Sequence, residues 1–114
     1  MKKITFLFLV LPFLGLSQVQ VGQDIYGDNA SDQSGFDVSI SDNGNIIAIG
    51  TSSSDGNGEN SGHVRIFENL NGVWTQIGDD IIGEAIINAS GSSIDISSDG
   101  TIIVIVAYLN AGNG

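Results

Sequence analysis

Residues 35–50 read GFDVSISDNGNIIAIG, which is the pattern of two strands joined by a tight turn. Apolar and polar residues alternate from Val38 to Ser41, as expected for a strand with one face in water. The next four residues, Asp-Asn-Gly-Asn, include types that tolerate the positive φ of a hairpin turn. Residues 46–49 are continuously apolar, which is typical of a strand covered on both faces. The stretch therefore predicts a β-hairpin.

Two further strands are predicted after this hairpin. A polar loop, residues 51–62, leads to residues 63–68, whose composition is that of a strand. Residues 69–72 form a second turn signal, and residues 73–77 read as a fourth strand. Four antiparallel strands joined by short turns are the anatomy of a propeller blade. We therefore expect an all-β fold built from antiparallel four-stranded blades of a β-propeller.

The same pattern returns 56 residues later. Residues 20–58 and 76–114 align without a gap and share 16 identities. A recurrent unit of this length indicates one supersecondary module that buries its apolar face against its neighbours. The second copy stops after its second strand, and residues 19–22 match the end of the fourth strand. The sequence thus predicts one full blade between two partial ones, an incomplete propeller that reads as an N-terminal fragment.

The first residues carry the features of a secretory signal peptide. Lys2 and Lys3 precede an apolar stretch, residues 4–14, and small residues, Gly15 and Ser17, stand at the −3 and −1 positions of a cleavage site. The stretch is too short for a spanning helix, which needs roughly 20 apolar residues. We expect a secreted or cell-surface protein with no membrane insertion after cleavage. The division is signal peptide 1–17, leading strand and link 18–34, first repeat 35–90, and truncated second repeat 91–114.

Charge and cysteine content exclude several classes of function. After cleavage the chain keeps one cation, Arg65, against 13 carboxylates, a formal net charge of −12. Nucleic-acid binding needs the opposite sign, and anionic membrane surfaces are disfavoured for the same reason. Divalent cations are the plausible small partners, although plain solvation also explains the acidity. The chain has no cysteine, so neither disulfides nor thiolate metal sites are available.

The stretch 35–50, followed by Gly62-His63-Val64-Arg65-Ile66-Phe67, resembles the FG-GAP repeat of integrin-α-like β-propellers. The likeness is greatest to the long-period form found in secreted and surface proteins of bacteria such as Bacteroidetes. The resemblance covers essentially all of the mature chain. It implies a propeller blade in an extracellular setting and does not imply an activity, because propellers host many functions.

Calcium-binding members of that family carry the loop D-x-[DN]-x-[DN]-G-x-x-D between strands one and two. When the motif glycine is placed on Gly44 or Gly100, isoleucine occupies the last ligand position in both copies, so these loops are expected to be ordinary hairpins. The ligand positions would be Ser39, Ser41, Asn43 and Ile47 in the first copy, and Asp95, Ser97, Asp99 and Ile103 in the second. A weaker calcium candidate is the trio Asp55, Asn57 and Glu59, whose alternate oxygens could converge on a cation.

Other polar and aromatic residues have structural explanations beside functional ones. His63 is the single histidine, so a multi-histidine metal site cannot form, and a loop-bracing role is favoured over general-base catalysis. Trp74 and Phe67 are expected to pack between blades, with a sugar-stacking platform as the alternative.

The expected function is that of a non-enzymatic secreted or cell-surface repeat segment, acting in binding, adhesion or as a scaffold. An unknown extracellular protein or glycan would be its partner. The alternatives are a propeller domain of an extracellular hydrolase or lyase, or a truncated product without independent function. Unpaired strand edges also predict self-association.

Overall fold

A computed structural model describes residues 18–55, 59–84 and 88–108. All seven regular elements in this part are strands, and their pairs are antiparallel. The all-β prediction is therefore confirmed, with no helix among the described residues. The strands are β1 Ser34–Ile40, β2 Ile46–Thr51, β3 His63–Leu70, β4 Val73–Gln76, β5 Ile81–Ile82, β6 Ser90–Ile96 and β7 Ile103–Ala107. The predicted signal peptide, residues 1–17, lies outside the described residues.

Strands β1 to β5 form the first sheet, which we call sheet 1. Its order is β1-β2-β3-β4, and β5 pairs with the start of β3. Both predicted hairpins are present: Ile40 pairs with Ile47 across the first turn, and Leu70 pairs with Val73 across the second. Asn71 and Gly72 have φ of 54° and 87°, as a two-residue hairpin turn of type I′ requires. The strand β5 was not predicted, because two isoleucines within a polar link carry no strand period.

Strands β6 and β7 form the second sheet, sheet 2, and repeat the first hairpin in detail. In each copy a bulge interrupts the pairing near the start of the first strand, and Gly35 and Gly91 both have φ of 85° there. A residue with a Cβ is strained in this conformation, so glycine is the favoured residue at this bulge. The bulge also explains why β1 and β6 begin before the alternating pattern on which they were predicted.

The two sheets stack face to face, and the core lies between them. Ala48 and Val64 of sheet 1 are fully buried against Ile94 of sheet 2. Ile66, Ile103 and Ile105 pack around this centre. The contacting apolar surface is continuous, so burial favours the stacked arrangement of successive repeats.

Sheet 1 keeps a second apolar face on the opposite side. Because direct antiparallel partners share a face, the pairs Val38–Ile49 and Ile40–Ile47 lie together on it. Val38 and Ile40 are 60% and 56% exposed. We call these four residues the open face. They are the repeat equivalents, 56 positions earlier, of the residues with which sheet 2 faces sheet 1: Ile94, Ile96, Ile103 and Ile105.

The predicted leading strand does not form. None of the residues 18–33 lies in a strand, yet the segment is attached to the edge of β4. The side-chain amide of Gln23 accepts from the Trp74 backbone N–H at 3.0 Å and donates to the Trp74 carbonyl at 2.8 Å. The indole Nε1 of Trp74 donates to the carbonyl of Val21 at 2.8 Å. Side-chain hydrogen bonds thus replace the strand ladder that the sequence predicts here.

Candidate metal centre

Three separate segments bring two carboxylates and one imidazole together at one end of sheet 1. Asp28 lies in the segment before β1, His63 begins β3, and Asp80 lies in the link between β4 and β5. One ligand atom from each residue lies within 4.8 Å of the other two. The antiparallel pairing of β5 with β3 brings Asp80 next to β3, since the two residues that follow it, Ile81 and Ile82, pair with Val64 and His63. We call this group the Asp28–His63–Asp80 cluster.

His63 is the buried member of the cluster and has one nitrogen engaged. Its Nδ1 lies 2.7 Å from the hydroxyl oxygen of Ser54. Its Nε2 is buried and has no hydrogen-bond partner, while the residue as a whole is only 5% exposed. A buried polar atom without a partner is costly, so this nitrogen is an exception that needs an explanation.

Arg65 neutralises part of the negative charge of the cluster. It lies two residues after His63 on β3, so the two side chains share a face of sheet 1. Its guanidinium donates from Nη2 to Asp28 and from Nε to Asp80, the latter at 3.3 Å to each carboxylate oxygen. Gln76 adds a hydrogen bond from Nε2 to Oδ1 of Asp80 at 2.6 Å. With His63 neutral, one arginine against two carboxylates leaves a formal charge of −1.

The same contacts affect the protonation of Asp80. Desolvation acts to raise the pKa of this carboxyl group, but the hydrogen bond from Gln76 and the charge of Arg65 outweigh it. The pKa of Asp80 therefore lies below its usual value. Asp80 is ionised at neutral pH and offers lone pairs to any cation that reaches the cluster.

The Ser54–His63 contact also has the composition of a nucleophile and its base. Both residues are buried, with Ser54 3% exposed. A serine nucleophile must reach its substrate, so this pair can act on a substrate only if the 52–62 loop opens. The backbone carbonyl of Ser54 also accepts from the N–H of Gly62 at 3.0 Å, which closes the base of the loop. The closed geometry is that of a loop brace.

Asp55 and Glu59, the described residues of the predicted calcium loop, do not join this cluster. Asp55 is exposed, and its Oδ1 accepts a hydrogen bond from the backbone N–H of Asn60 at 2.8 Å. Glu59 is exposed as well, and Asn57 lies outside the described residues. The hydrogen bond of Asp55 therefore closes a turn.

Both family-type loops fold as hairpin turns with matching side-chain contacts. In the first copy, Oδ1 of Asn43 accepts from the hydroxyl of Ser41 at 2.9 Å and from the N–H of Asn45 at 3.0 Å. In the second copy, Oδ1 of Asp99 accepts from the hydroxyl of Ser97 at 2.8 Å and from the N–H of Thr101 at 3.0 Å. In both copies this Oδ1 thus bonds to the turn itself.

The aromatic residues take different places. Phe67 is 9% exposed and belongs to the buried apolar residues. Trp74 is half-buried at the edge of sheet 1, where its ring lies against Gly22 of the leading segment. Trp74 thus contacts the preceding segment of its own chain.

Of the three cluster residues, only His63 stands out in the sequence, and Asp28 and Asp80 were not predicted. The available signal was the repeat itself: Asp80 aligns with Asp24, and Asp28 aligns with Glu84, so acidity recurs at both link positions. Acidic residues that recur at equivalent link positions are candidate ligands. The missing information was which links meet at one end of the sheet.

No protein-family model, curated protein or solved structure matches this chain. The described residues contain no helix that is long and apolar enough to cross a membrane.

Proposed function

We propose that this chain is a non-enzymatic repeat segment of an extracellular, propeller-type scaffold that serves binding or adhesion. The observation that supports it most is the stacking of one repeat on the next through a core centred on Ala48, Val64 and Ile94. Modules that stack in repeat register typically build extended scaffolds, whose loops are free to contact a partner. The FG-GAP resemblance of residues 35–50 and 62–67 agrees with this role.

The open face suggests that more than two sheets stack in the working protein. It carries the same kind of apolar residues that sheet 2 buries against sheet 1, at equivalent repeat positions. A face of this composition is expected to be covered in the working protein, since exposed apolar patches mark interaction surfaces. Its occupant in this proposal is a further sheet of the same repeat type. In a solution of the purified protein, that sheet comes from a second copy of the chain.

Sedimentation velocity over a wide range of concentration tests the scaffold proposal. We expect association of the wild-type chain, loss of association in Ile40→Lys, and retained association in Val73→Lys. Val73 is the matched control because it is 55% exposed, against 56% for Ile40, but lies on the edge strand β4. A monomeric wild-type chain at all concentrations contradicts the proposal. Association that survives both substitutions assigns it to the strand edges.

Export is tested separately in a bacterial host. The full chain is expressed, the cells are fractionated, and the N-terminus of the exported product is sequenced. We expect the mature protein to begin at Gln18, outside the inner membrane. Leu9→Arg, which interrupts the apolar stretch 4–14, should hold the uncleaved chain inside. An uncleaved wild-type chain in the cytoplasm would contradict an extracellular role.

The second candidate, an extracellular hydrolase, has the Ser54–His63 contact in its favour. A fluorophosphonate probe, which reacts with activated serine hydroxyls, tests it directly. Labelling that disappears in Ser54→Ala but persists in Ser53→Ala would support the hydrolase. Absence of labelling would favour the loop brace.

A further inference from the structure

We infer that the Asp28–His63–Asp80 cluster is a site for a transition-series divalent cation, with Zn²⁺ as the reference ion. This inference is independent of the scaffold proposal. It starts from the three ligand atoms that lie within 4.8 Å of one another. Ligand atoms around a tetrahedral zinc ion lie roughly 3–3.5 Å apart, so any closing movement that the cluster needs is less than about 2 Å. Asp28, whose side chain is 56% exposed, lies in a surface segment that can supply this movement.

The nitrogen ligand is Nε2 of His63. A metal-binding imidazole commonly binds through one nitrogen while the other is fixed by a hydrogen bond. Here Ser54 holds Nδ1, so the ring is oriented and Nε2 is left with a lone pair when Nδ1 carries the proton. The absence of a partner for this buried nitrogen is the second observation, beside the acidic pair, that points to a ligand.

Charge favours a cation at the same position. Two ionised carboxylates outnumber Arg65, which leaves a formal −1 beside a neutral imidazole. A carboxylate has about four lone-pair sites, and Arg65 and Gln76 do not use all of them. Arg65 competes with the metal for both carboxylates, so removal of its charge should strengthen metal binding.

The ligand set selects the class of metal. Imidazole with carboxylates suits zinc, manganese or iron, whereas calcium prefers an all-oxygen set of about six to eight atoms. The cluster offers three protein ligands and leaves room for a further ligand from solvent. We therefore expect one Zn²⁺ ion to bind per chain, and we expect that Ca²⁺ at equal concentration does not displace it.

The experiment is calorimetric titration of the purified full chain with zinc chloride, with a thermal melt in parallel. Asp28→Asn and His63→Gln should each weaken binding by roughly tenfold or more, while Arg65→Gln should strengthen it. Asp79→Asn is the matched control, because this exposed carboxylate is adjacent to Asp80 but outside the cluster. It removes the same charge and should leave the affinity unchanged.

Nuclear magnetic resonance separates binding at the cluster from binding elsewhere. His63 is the single histidine, so its imidazole signals are unambiguous. We expect zinc to shift them in wild type and in Asp79→Asn, with a weaker response in Asp28→Asn. No heat and no shift would overturn the inference. Equal affinity in wild type, Asp28→Asn and His63→Gln would also overturn it, since the ion would then bind elsewhere.

Discussion

The carboxylate of Asp37 accepts a hydrogen bond from the backbone N–H of Ile94, with Oδ2 and N 2.6 Å apart. The contact joins β1 of one repeat to β6 of the next, 57 residues later. Two residues on, the Ser39 hydroxyl accepts from the N–H of Ile96 at 3.1 Å. Side chains of β1 thus satisfy backbone donors of β6. Stacked sheets are held in register by these two bonds as well as by apolar contact.

Asp37→Ala should destabilise the chain by about 1–3 kcal/mol, because it leaves the backbone amide of the buried residue Ile94 without its acceptor. Asp37→Asn keeps an oxygen acceptor and should cost clearly less. Ser39→Ala removes the longer, neutral bond and should cost about 1 kcal/mol. Urea denaturation at neutral pH measures all three. Equal losses for Asp37→Ala and Asp37→Asn would mean that the negative charge, and not the hydrogen bond, matters.

Gly35→Ala and Gly91→Ala separate backbone strain from the contact between sheets. Both glycines have φ of 85°, so each substitution carries the left-handed strain of about 1–2 kcal/mol. A Cβ at Gly35 meets nothing within 4 Å, but one at Gly91 lies 2.8 Å from the carbonyl oxygen of His63. Overlap of this kind costs about 1–3 kcal/mol more. Gly91→Ala should therefore lower the midpoint of urea unfolding further than Gly35→Ala, and equal midpoints would contradict the observed stacking.

The strand pattern of both hairpins could be predicted from the sequence, whereas their attachments could not. Alternation at 38–41 and the apolar run 46–49 are local, so they reveal β1 and β2 directly. The attachment of Gln23 to Trp74 spans 51 residues and depends on side-chain amide geometry that mimics a strand. The same holds for Asp28, His63 and Asp80, since no periodicity tells which links converge. Local periodicity reveals the strands, whereas long-range polar contacts can be identified only in the three-dimensional structure.

Gln23→Ala should release the leading segment from β4. It removes both hydrogen bonds to the backbone of Trp74, a loss of about 1 kcal/mol in an exposed place. Trp74 is the single tryptophan, so its fluorescence reports this site alone, and we expect a red shift as the ring gains solvent. Gln20→Ala is the control, because Gln20 bonds within its own segment to Gly22 and Asp24. A red shift in the control and none in Gln23→Ala would contradict the attachment.

Acid should weaken the second hairpin through Asp99. The hydrogen bond from the Thr101 hydroxyl is the largest cause that lowers the pKa of Asp99 below its usual value, with further hydrogen bonds from the Thr101 amide and the Ser97 hydroxyl. A carboxyl group whose pKa is lower in the folded than in the unfolded state stabilises the fold at pH values above its unfolded-state pKa. This stabilisation is lost as the pH falls through the folded-state pKa. Stability should therefore drop below about pH 4.

Asp99→Asn provides the matched comparison for this acid effect. The first copy already has Asn43 at the equivalent position, where it makes the same turn contacts. The variant should keep the turn at neutral pH and show a shallower fall in stability between neutral pH and the acid range. Urea denaturation at several pH values measures this. Superimposable pH profiles of variant and wild type would show that Asp99 does not contribute.

Self-association through the open face should stop at a dimer. Gly50 packs against Gly91, and a Cβ at Gly50 would overlap the carbonyl oxygen of Gly91. The repeat equivalents of Gly50 and Gly91 are Val106 and Gly35. The side chain of Val106 therefore prevents the outer side of sheet 2 from packing against Gly35 of another copy. Two open faces can instead meet about a two-fold axis, which closes the assembly. Light scattering should therefore find a dimer at high concentration, whereas Val106→Gly should permit larger species. Open-ended oligomers of the wild type would contradict the obstruction by Val106.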